Sequence, residues 1–339
     1  MTLWCCQTSP AAAARLLIEK PFGYDLLSAK ELIAETGRYF SEEQIFRIDH
    51  YVAKETVQNI VAFRMNNPLF RAVWDAKHIH HIEITATEKI DIEGRATFFE
   101  ETGALRDFVQ SHLMQLLALL TMEEPANLSS EVIHRSKAAL LKHIRPVPET
   151  EIWRRTVRGQ YAGYTEEVQN PHSVRETFAA LLLYINLPRW RNMPVLIKTG
   201  KALSRKETKL VVVFKDEAGG TTNRLFFKIQ PAEGVALTLL AKRPGYEDEL
   251  EPVTMNFSYE QTFEHHGHPD AYERVLVDAM KGDHTLFSTS TEVLASWKAL
   301  ETIIRSWESS THRLHIYAKG SLGPDAAKEL AEAVSAQWY

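Results

Sequence analysis

Asp49, His50, Tyr51 and Lys54 place a carboxylate, an imidazole, a phenol and an ammonium within six positions of the chain. Such a set can hold an anion or move a proton. The imidazole titrates near neutrality, and the basic groups with the phenol offer charge-assisted hydrogen bonds to several oxygens. The flanking pattern says where the set sits. Ile45, Phe46 and Ile48 end an apolar strand, and Val57, Ile60, Val61 and Met65 recur at helical spacing beyond Lys54. His50, Tyr51 and Lys54 are therefore expected at a helix N-terminus, where unpaired N–H groups and the macrodipole favour an anion such as a phosphate. The competing reading is a solvated charged turn opening a surface helix.

Two further segments carry chemistry. Glu19-Lys20-Pro21-Phe22-Gly23 follows the apolar residues Leu16, Leu17 and Ile18, and Arg106-Asp107-Phe108-Val109-Gln110-Ser111-His112 opens a strongly apolar stretch. The spacing predicts a helix over 105–121 with Leu113, Leu116, Leu117 and Leu120 on one buried face. His112 lies five residues after Asp107, a little over one helical turn, so both can border one pocket. By residue type alone, a histidine on so apolar a helix reads as a satisfied core histidine sooner than as a general base. Two histidine clusters, His78/His80/His81 and His265/His266/His268, lack accompanying cysteines or an organised carboxylate set, so they read as surface histidines and no metal site is expected.

The elements that must position these groups follow from periodicity. Residues 15–52 read as strand, helix, strand, with the helix over 25–40, and a helix follows over 54–65. A strand is expected over 78–84 and a helix over 131–142 that Pro146 and Pro148 terminate. Strands follow over 177–186, 194–199, 208–215, 224–230, 235–242 and 255–259, then helices over 270–281, 290–308 and 324–335. Strands clustered late with helices on both sides predict an α+β fold. It is built on a large, mostly antiparallel sheet with flanking helices, preceded by a remnant of a Rossmann-like domain. The expected divisions are an unassigned leader over 1–14, the remnant over 15–52 and the main domain over 53–339.

Composition bounds the function classes. Hydrophobic residues make up 45% and charged residues 24%, an ordinary globular balance. A net charge of −5 argues against nucleic acid as a partner. No apolar run approaches a membrane span and no secretory pattern opens the chain, so neither a membrane partner nor export is expected. The adjacent Cys5 and Cys6 fit a reducing cytoplasm.

Taken with Asp49–Lys54, the Lys20 and His112 segments resemble the three active-site signatures of the glucose-6-phosphate dehydrogenase family. The likeness continues through Gly200-Lys201-Ala202-Leu203, Gln230-Pro231, Asp270-Ala271-Tyr272-Glu273-Arg274 and Gly323-Pro324, in family order from about Arg15 onward. The resemblance implies an oxidoreductase of the pentose phosphate pathway that oxidises C1 of glucose 6-phosphate with hydride transfer to NADP. It implies His112 as the general base and Asp49 as the carboxylate that orients it. His50, Tyr51 and Lys54 are then the phosphate grip, and Lys20 reaches both sugar and nicotinamide. Glu88 and Asp107 are the acceptors for sugar hydroxyls, with Lys201, Lys206 and Gln230 as further substrate contacts. It also implies a homodimer or homotetramer paired through the large sheet.

Departures are visible. Val52-Ala53 stands where the family commonly has Leu-Gly, Ser111 where Asn is usual, and Ala96-Thr97-Phe98 in place of a Gly-rich stretch. Of the 15 glycines, none forms a G-x-G-x-x-G-like turn before Lys20, and the residues preceding Lys20 are too few for a βαβ unit of about 30 residues. Most of the nucleotide domain is therefore expected to be missing, through natural truncation or a misplaced gene start. The alternative is a sugar-phosphate-binding or assembly module without dehydrogenase activity of its own.

Overall fold

The computed structural model describes residues 14–216, 223–263, 271–310 and 314–339. Cys5, Cys6, nearly all of the leader, His265, His266, His268 and Asp270 lie outside the described residues. The described strands, in chain order, are β1 (Leu16–Ile18), β2 (Ile45–Ile48), β3 (Ile79–Thr87), β4 (Thr156–Tyr161), β5 (Phe178–Leu183), β6 (Val195–Gly200), β7 (Glu207–Phe214), β8 (Arg224–Gln230), β9 (Gly234–Lys242), β10 (Leu250–Ser258), β11 (Phe287–Ser288) and β12 (Leu314–Tyr317).

Two sheets result. In the smaller, β1 and β2 run parallel, joined by the crossover helix Leu26–Thr36, and β11 adds antiparallel to β2. Asp25 starts the crossover helix with a capping box shared with Ser28, which satisfies N-terminal donors that would otherwise be orphaned. The larger sheet has the order β10-β9-β8-β7-β3-β6-β5-β4-β12. Only the β3–β6 and β4–β12 pairs are parallel, so the sheet is mostly antiparallel as its strand clustering predicts. The fold is α+β, with helices packed on the sheet and a short Rossmann-like βαβ element at its start.

Side chains facing the helices make the core. Ile82, Ile84, Leu181, Leu183, Ile197, Leu210 and Val212 are buried to the last ångström, as are Leu113, Leu116, Leu117 and Leu120. The helix Met114–Thr121 is buried on every side rather than along one stripe, with Glu55–Asn66 and Ser130–Lys142 packed against it. An all-round apolar helix is what such enclosure demands.

Several elements differ from the periodicity reading. The helix expected over 105–121 begins as a π-helix, Leu105–Leu113, and turns α only at Met114. The strand expected to start at 255 begins at Leu250, because exposed β10 follows the hydrogen bonds of β9 rather than a hydrophobic pattern. Strands β4, β11 and β12 and the helix Ala96–Ala104 have no clear signal in the sequence. β4 carries Arg158 and Gln160, both buried, where a strand pattern would want apolar residues. Arg158 donates to Trp307 O at 2.6 Å and Gln160 to Arg175 O at 2.9 Å, which lets polar groups stand inside. His81 is likewise no surface histidine: it is buried on β3 and hydrogen-bonds Glu83 at 2.9 Å.

Candidate active site

β1, β2 and the π-helix end beside one another and bring three separated segments to one cleft of about 630 Å³. It is lined by Lys20, His50, Tyr51, Glu88, Asp107, His112, Lys206 and Gln230, all singled out in the sequence. Glu19, Arg95, Phe98, Phe108 and Tyr272 line it as well and were not. Phe108 and Glu19 lay inside signature segments, but their types carried no signal beyond packing and charge. Tyr272 stood in the family-like segment from Asp270 to Arg274, with no site role of its own expected.

At the floor lies a histidine–carboxylate pair. His112 Nδ1 meets Asp49 Oδ1 at 2.5 Å, and both side chains are 1% exposed. Asp49 Oδ1 also accepts the Tyr51 N–H at 3.0 Å. Asp49 Oδ2 and His112 Nε2 are buried with no hydrogen-bond partner among the described residues. Burial pushes the Asp49 carboxyl up, but the His112 ring and the hydrogen bond to it outweigh this and hold it at about 2. Burial in turn lowers His112, against the opposing pull of Asp49. A neutral imidazole backed by a carboxylate, with Nε2 lacking a partner among the described residues, has the chemistry to accept a proton.

The π-winding explains why Asp107 and His112 share this cleft. On an ideal α-helix, residues five apart stand roughly 140° from one another. A π-helix closes its hydrogen bonds from i to i+5, so the same two residues fall on one face. Asp107 Oδ1 then receives Lys20 Nζ at 2.8 Å, and the Asp107 carbonyl takes the same ammonium at 2.9 Å. The Lys20 charge beside it holds the Asp107 carboxyl below its ordinary value although burial opposes this. The Ser111 hydroxyl donates to the Asp107 carbonyl at 3.2 Å and so stays within the helix.

Aromatic faces frame the base. Tyr51 stacks on His112 with centroids 4.4 Å apart, and the His50 ring stands edge-on to His112 at 4.8 Å. Tyr272 stacks on the outer face of His50 at 5.8 Å. Burial first, then repulsion from His112, pushes His50 down to about 4, and burial raises the Tyr51 phenol.

The expected phosphate site needs one correction. The helix Glu55–Asn66 does start beside His50 and Tyr51, with Lys54 as its N-cap. Its N-terminus is not open to an anion, because Glu233 Oε2 already accepts the Thr56 N–H at 2.9 Å and the Thr56 hydroxyl at 2.8 Å. A carboxylate from the turn after β8 has taken the place the macrodipole favours. Binding of an anion here falls to side chains. Lys54 Nζ lies 5.6 Å from the Tyr51 ring centre and is not among the groups lining the cleft. Lys201 stands behind the cleft wall, 2.7 Å from Glu88 Oε2 and almost fully buried. Ala53 does not adopt a positive φ, so the backbone accepts alanine in place of glycine.

A family model described as glucose-6-phosphate dehydrogenase, C-terminal domain, matches residues 61–339, and the NAD binding domain of the same enzyme matches 4–59. The chain belongs to the glucose-6-phosphate dehydrogenase family. It is 41% identical to the glucose-6-phosphate 1-dehydrogenase of Chlamydia muridarum, with 96% of this chain and 68% of that protein covered. The corresponding protein of Gluconobacter oxydans is 39% identical, with 96% and 70% covered. The solved structure of a glucose-6-phosphate dehydrogenase in complex with its substrate glucose-6-phosphate superposes with a TM-score of 0.89 at 31% identity, covering 96% of this chain and 69% of that one. Family membership makes the chain an oxidoreductase of the nicotinamide-dependent kind.

The nucleotide itself is less well served by the described residues. Lys20 follows the end of β1 and lines the cleft. The described residues form no strand–glycine-rich turn–helix, and the first glycine of the sequence is Gly23, after β1. They therefore provide no cradle for a pyrophosphate. No group of three His, Cys, Asp or Glu side chains converges as a metal site among the described residues. No helix among them is long and apolar enough to cross a membrane.

Proposed function

We propose that the chain binds glucose 6-phosphate and oxidises its C1 hydroxyl to the lactone, with His112 as general base and Asp49 as its orienting partner. One observation carries this reading. A buried imidazole is fixed through Nδ1 to a carboxylate while Nε2 has no partner, at the floor of a cleft walled by cations, a phenol and hydroxyl acceptors. His112 takes the hydroxyl proton on Nε2 as the C1–O bond becomes a carbonyl, and Asp49 stabilises the resulting imidazolium. A nicotinamide cofactor, when bound, accepts the C1 hydride.

His50, Tyr51 and Lys54 grip the phosphate, a role supported by an imidazole and a phenol that line the cleft and by the Lys54 ammonium beside the Tyr51 ring. Glu88 and Asp107 accept hydrogen bonds from sugar hydroxyls. Lys20 bridges sugar and nicotinamide, and Lys206 and Gln230 complete the wall. Lys201 acts through Glu88, which it holds at 2.7 Å. NADP is the proposed cofactor, the pentose phosphate pathway the proposed setting and the cytoplasm the proposed location. A homodimer or homotetramer through the large sheet is the proposed assembly. Isothermal titration tests the substrate: glucose 6-phosphate binds and glucose binds far more weakly. Equal affinity for the two sinks the assignment.

A second reading is a sugar-phosphate-binding or assembly module that does not itself transfer hydride. Binding of glucose 6-phosphate without any reduction of NADP at saturating substrate would select it.

A further inference from the structure

The π-helix that carries Asp107 and His112 must be held in an unusual winding, and one buried side chain sits at its start. Glu176 is 4% exposed and lies just before β5. Its Oε1 accepts the N–H of Leu105, the first π residue, at 3.1 Å. Its main-chain carbonyl accepts the N–H of Ala104 at 3.0 Å. The chain reaches this point through Gly103, which breaks the helix with φ +64° and ψ 179°. A Cβ on Gly103 would fall 2.3 Å from Glu176 Oε1, so glycine is what lets the carboxylate approach. The neighbouring residue extends the same hub to the other wall. Thr177 O accepts the Lys201 N–H at 3.0 Å, and Tyr317 joins the Thr177 hydroxyl at 2.8 Å to the Lys201 carbonyl at 2.8 Å.

We propose that Glu176 is a positioning residue of this site. Its carboxylate anchors the first turn of the π-helix, and this sets where Asp107 meets Lys20 and where His112 meets Asp49. Glu176 touches neither pair and acts through the helix alone. The physical reason is that a π-helix has no intrinsic advantage over α winding, so its register needs a fixed end. A carboxylate at the N-terminus supplies both an acceptor and the charge the macrodipole favours.

The inference rests on the assignment of His112 and Asp49 as the reacting pair, and its test separates the two. The ring nitrogens of His112 are followed by 15N-resolved NMR of the whole chain, where the Nδ1–H held by Asp49 gives a low-field proton. Glucose 6-phosphate affinity is measured alongside by calorimetry. Glu176→Gln keeps an acceptor for Leu105 N–H and should retain the low-field proton and an affinity within about threefold of the unaltered chain. Glu176→Asp keeps the charge but cannot reach. It should lose or broaden that proton and bind about tenfold more weakly, as expected for misplaced contacts. Thr289→Ala, which removes the side-chain cap of a different helix, should leave the His112 signal in place. The inference is overturned if Glu176→Asp keeps both readouts, or if Thr289→Ala moves them equally. If the unaltered chain binds no glucose 6-phosphate, the functional reading falls, and the His112 signal still decides the role of Glu176.

Discussion

His112 and Asp49 are isolated from water, and their chemistry follows from that. Replacing His112 by Asn should cut turnover by roughly 10²–10⁴-fold, the usual value of a positioned base. Binding of glucose 6-phosphate should barely change, since the proposed phosphate contacts lie on other residues. Asp49→Asn should also slow turnover, because an amide can orient the ring but cannot stabilise its charge. The double variant should be little slower than His112→Asn alone, since members of one unit are not additive. Steady-state rates that multiply instead would give Asp49 a separate role. His50 makes a second prediction, about pH. His50, at about 4, His112 and Asp49, at about 2, all bind protons less readily folded than unfolded. The unfolded chain therefore gains protons first as pH falls, and these groups withdraw stability with acid. For His50 the loss begins near the ordinary value of 6.5 and is complete near pH 4. It amounts to about 2 kcal/mol after allowance for partial exposure. Thermal melts should show His50→Gln with a flatter profile over this window, and an unchanged slope would refute the idea.

At the scale of elements, two junctions decide how the site is presented. Gly103 combines a positive φ with no room for a Cβ against Glu176. Gly103→Ala should therefore cost at least about 2 kcal/mol, by backbone strain and by driving the carboxylate off the π-helix. Urea unfolding measures it, and a loss under about half a kcal/mol would mean the turn relaxes freely. Glu233 caps the helix Glu55–Asn66 through Thr56, which is wholly buried. Removing it in Glu233→Ala should cost about 1–2 kcal/mol. The variant should also free the helix N-terminus, so inorganic phosphate should restore more stability to it than to the unaltered chain. An equal response would show that the carboxylate was not occupying an anion position.

Across the whole molecule, β10 edges the large sheet, and Leu250, Val253 and Met255 are 62%, 44% and 64% exposed. Sedimentation should find a dimer or larger assembly at micromolar concentration, and the pair Val253→Lys with Met255→Lys should shift it to monomer. A parent chain that sediments as monomer would remove the sheet-pairing proposal. The same scale separates substrate from cofactor. Most of the proposed substrate contacts line one cleft, whereas the described residues hold no glycine-rich turn for a pyrophosphate. Tryptophan fluorescence titrations should accordingly saturate with glucose 6-phosphate at far lower concentration than with NADP. The reverse order would contradict the geometry.

What the sequence determined by itself was local or motif-bound. The helix Ser290–Glu308 follows from its apolar period, and its observed ends coincide with the expected 290–308. The late strands follow from runs of Val, Ile, Leu and Phe, because burial on a sheet face selects such residues whatever the topology. The family and eight of the thirteen residues lining the cleft were legible because most of those eight stand in or beside short ordered segments. Tertiary structure alone decided the rest. Nothing local distinguishes π from α winding over Leu105–Leu113; Glu176, some 70 residues later, does so by capping it. The helix N-terminus beside Lys54 looked open to phosphate until the fold brought Glu233 to it. β4 and the buried His81 hid from the hydrophobic pattern because polar side chains can be buried once distant partners satisfy them. Periodicity records which residues avoid water, whereas hydrogen-bond partners across the fold decide which polar residues can join them.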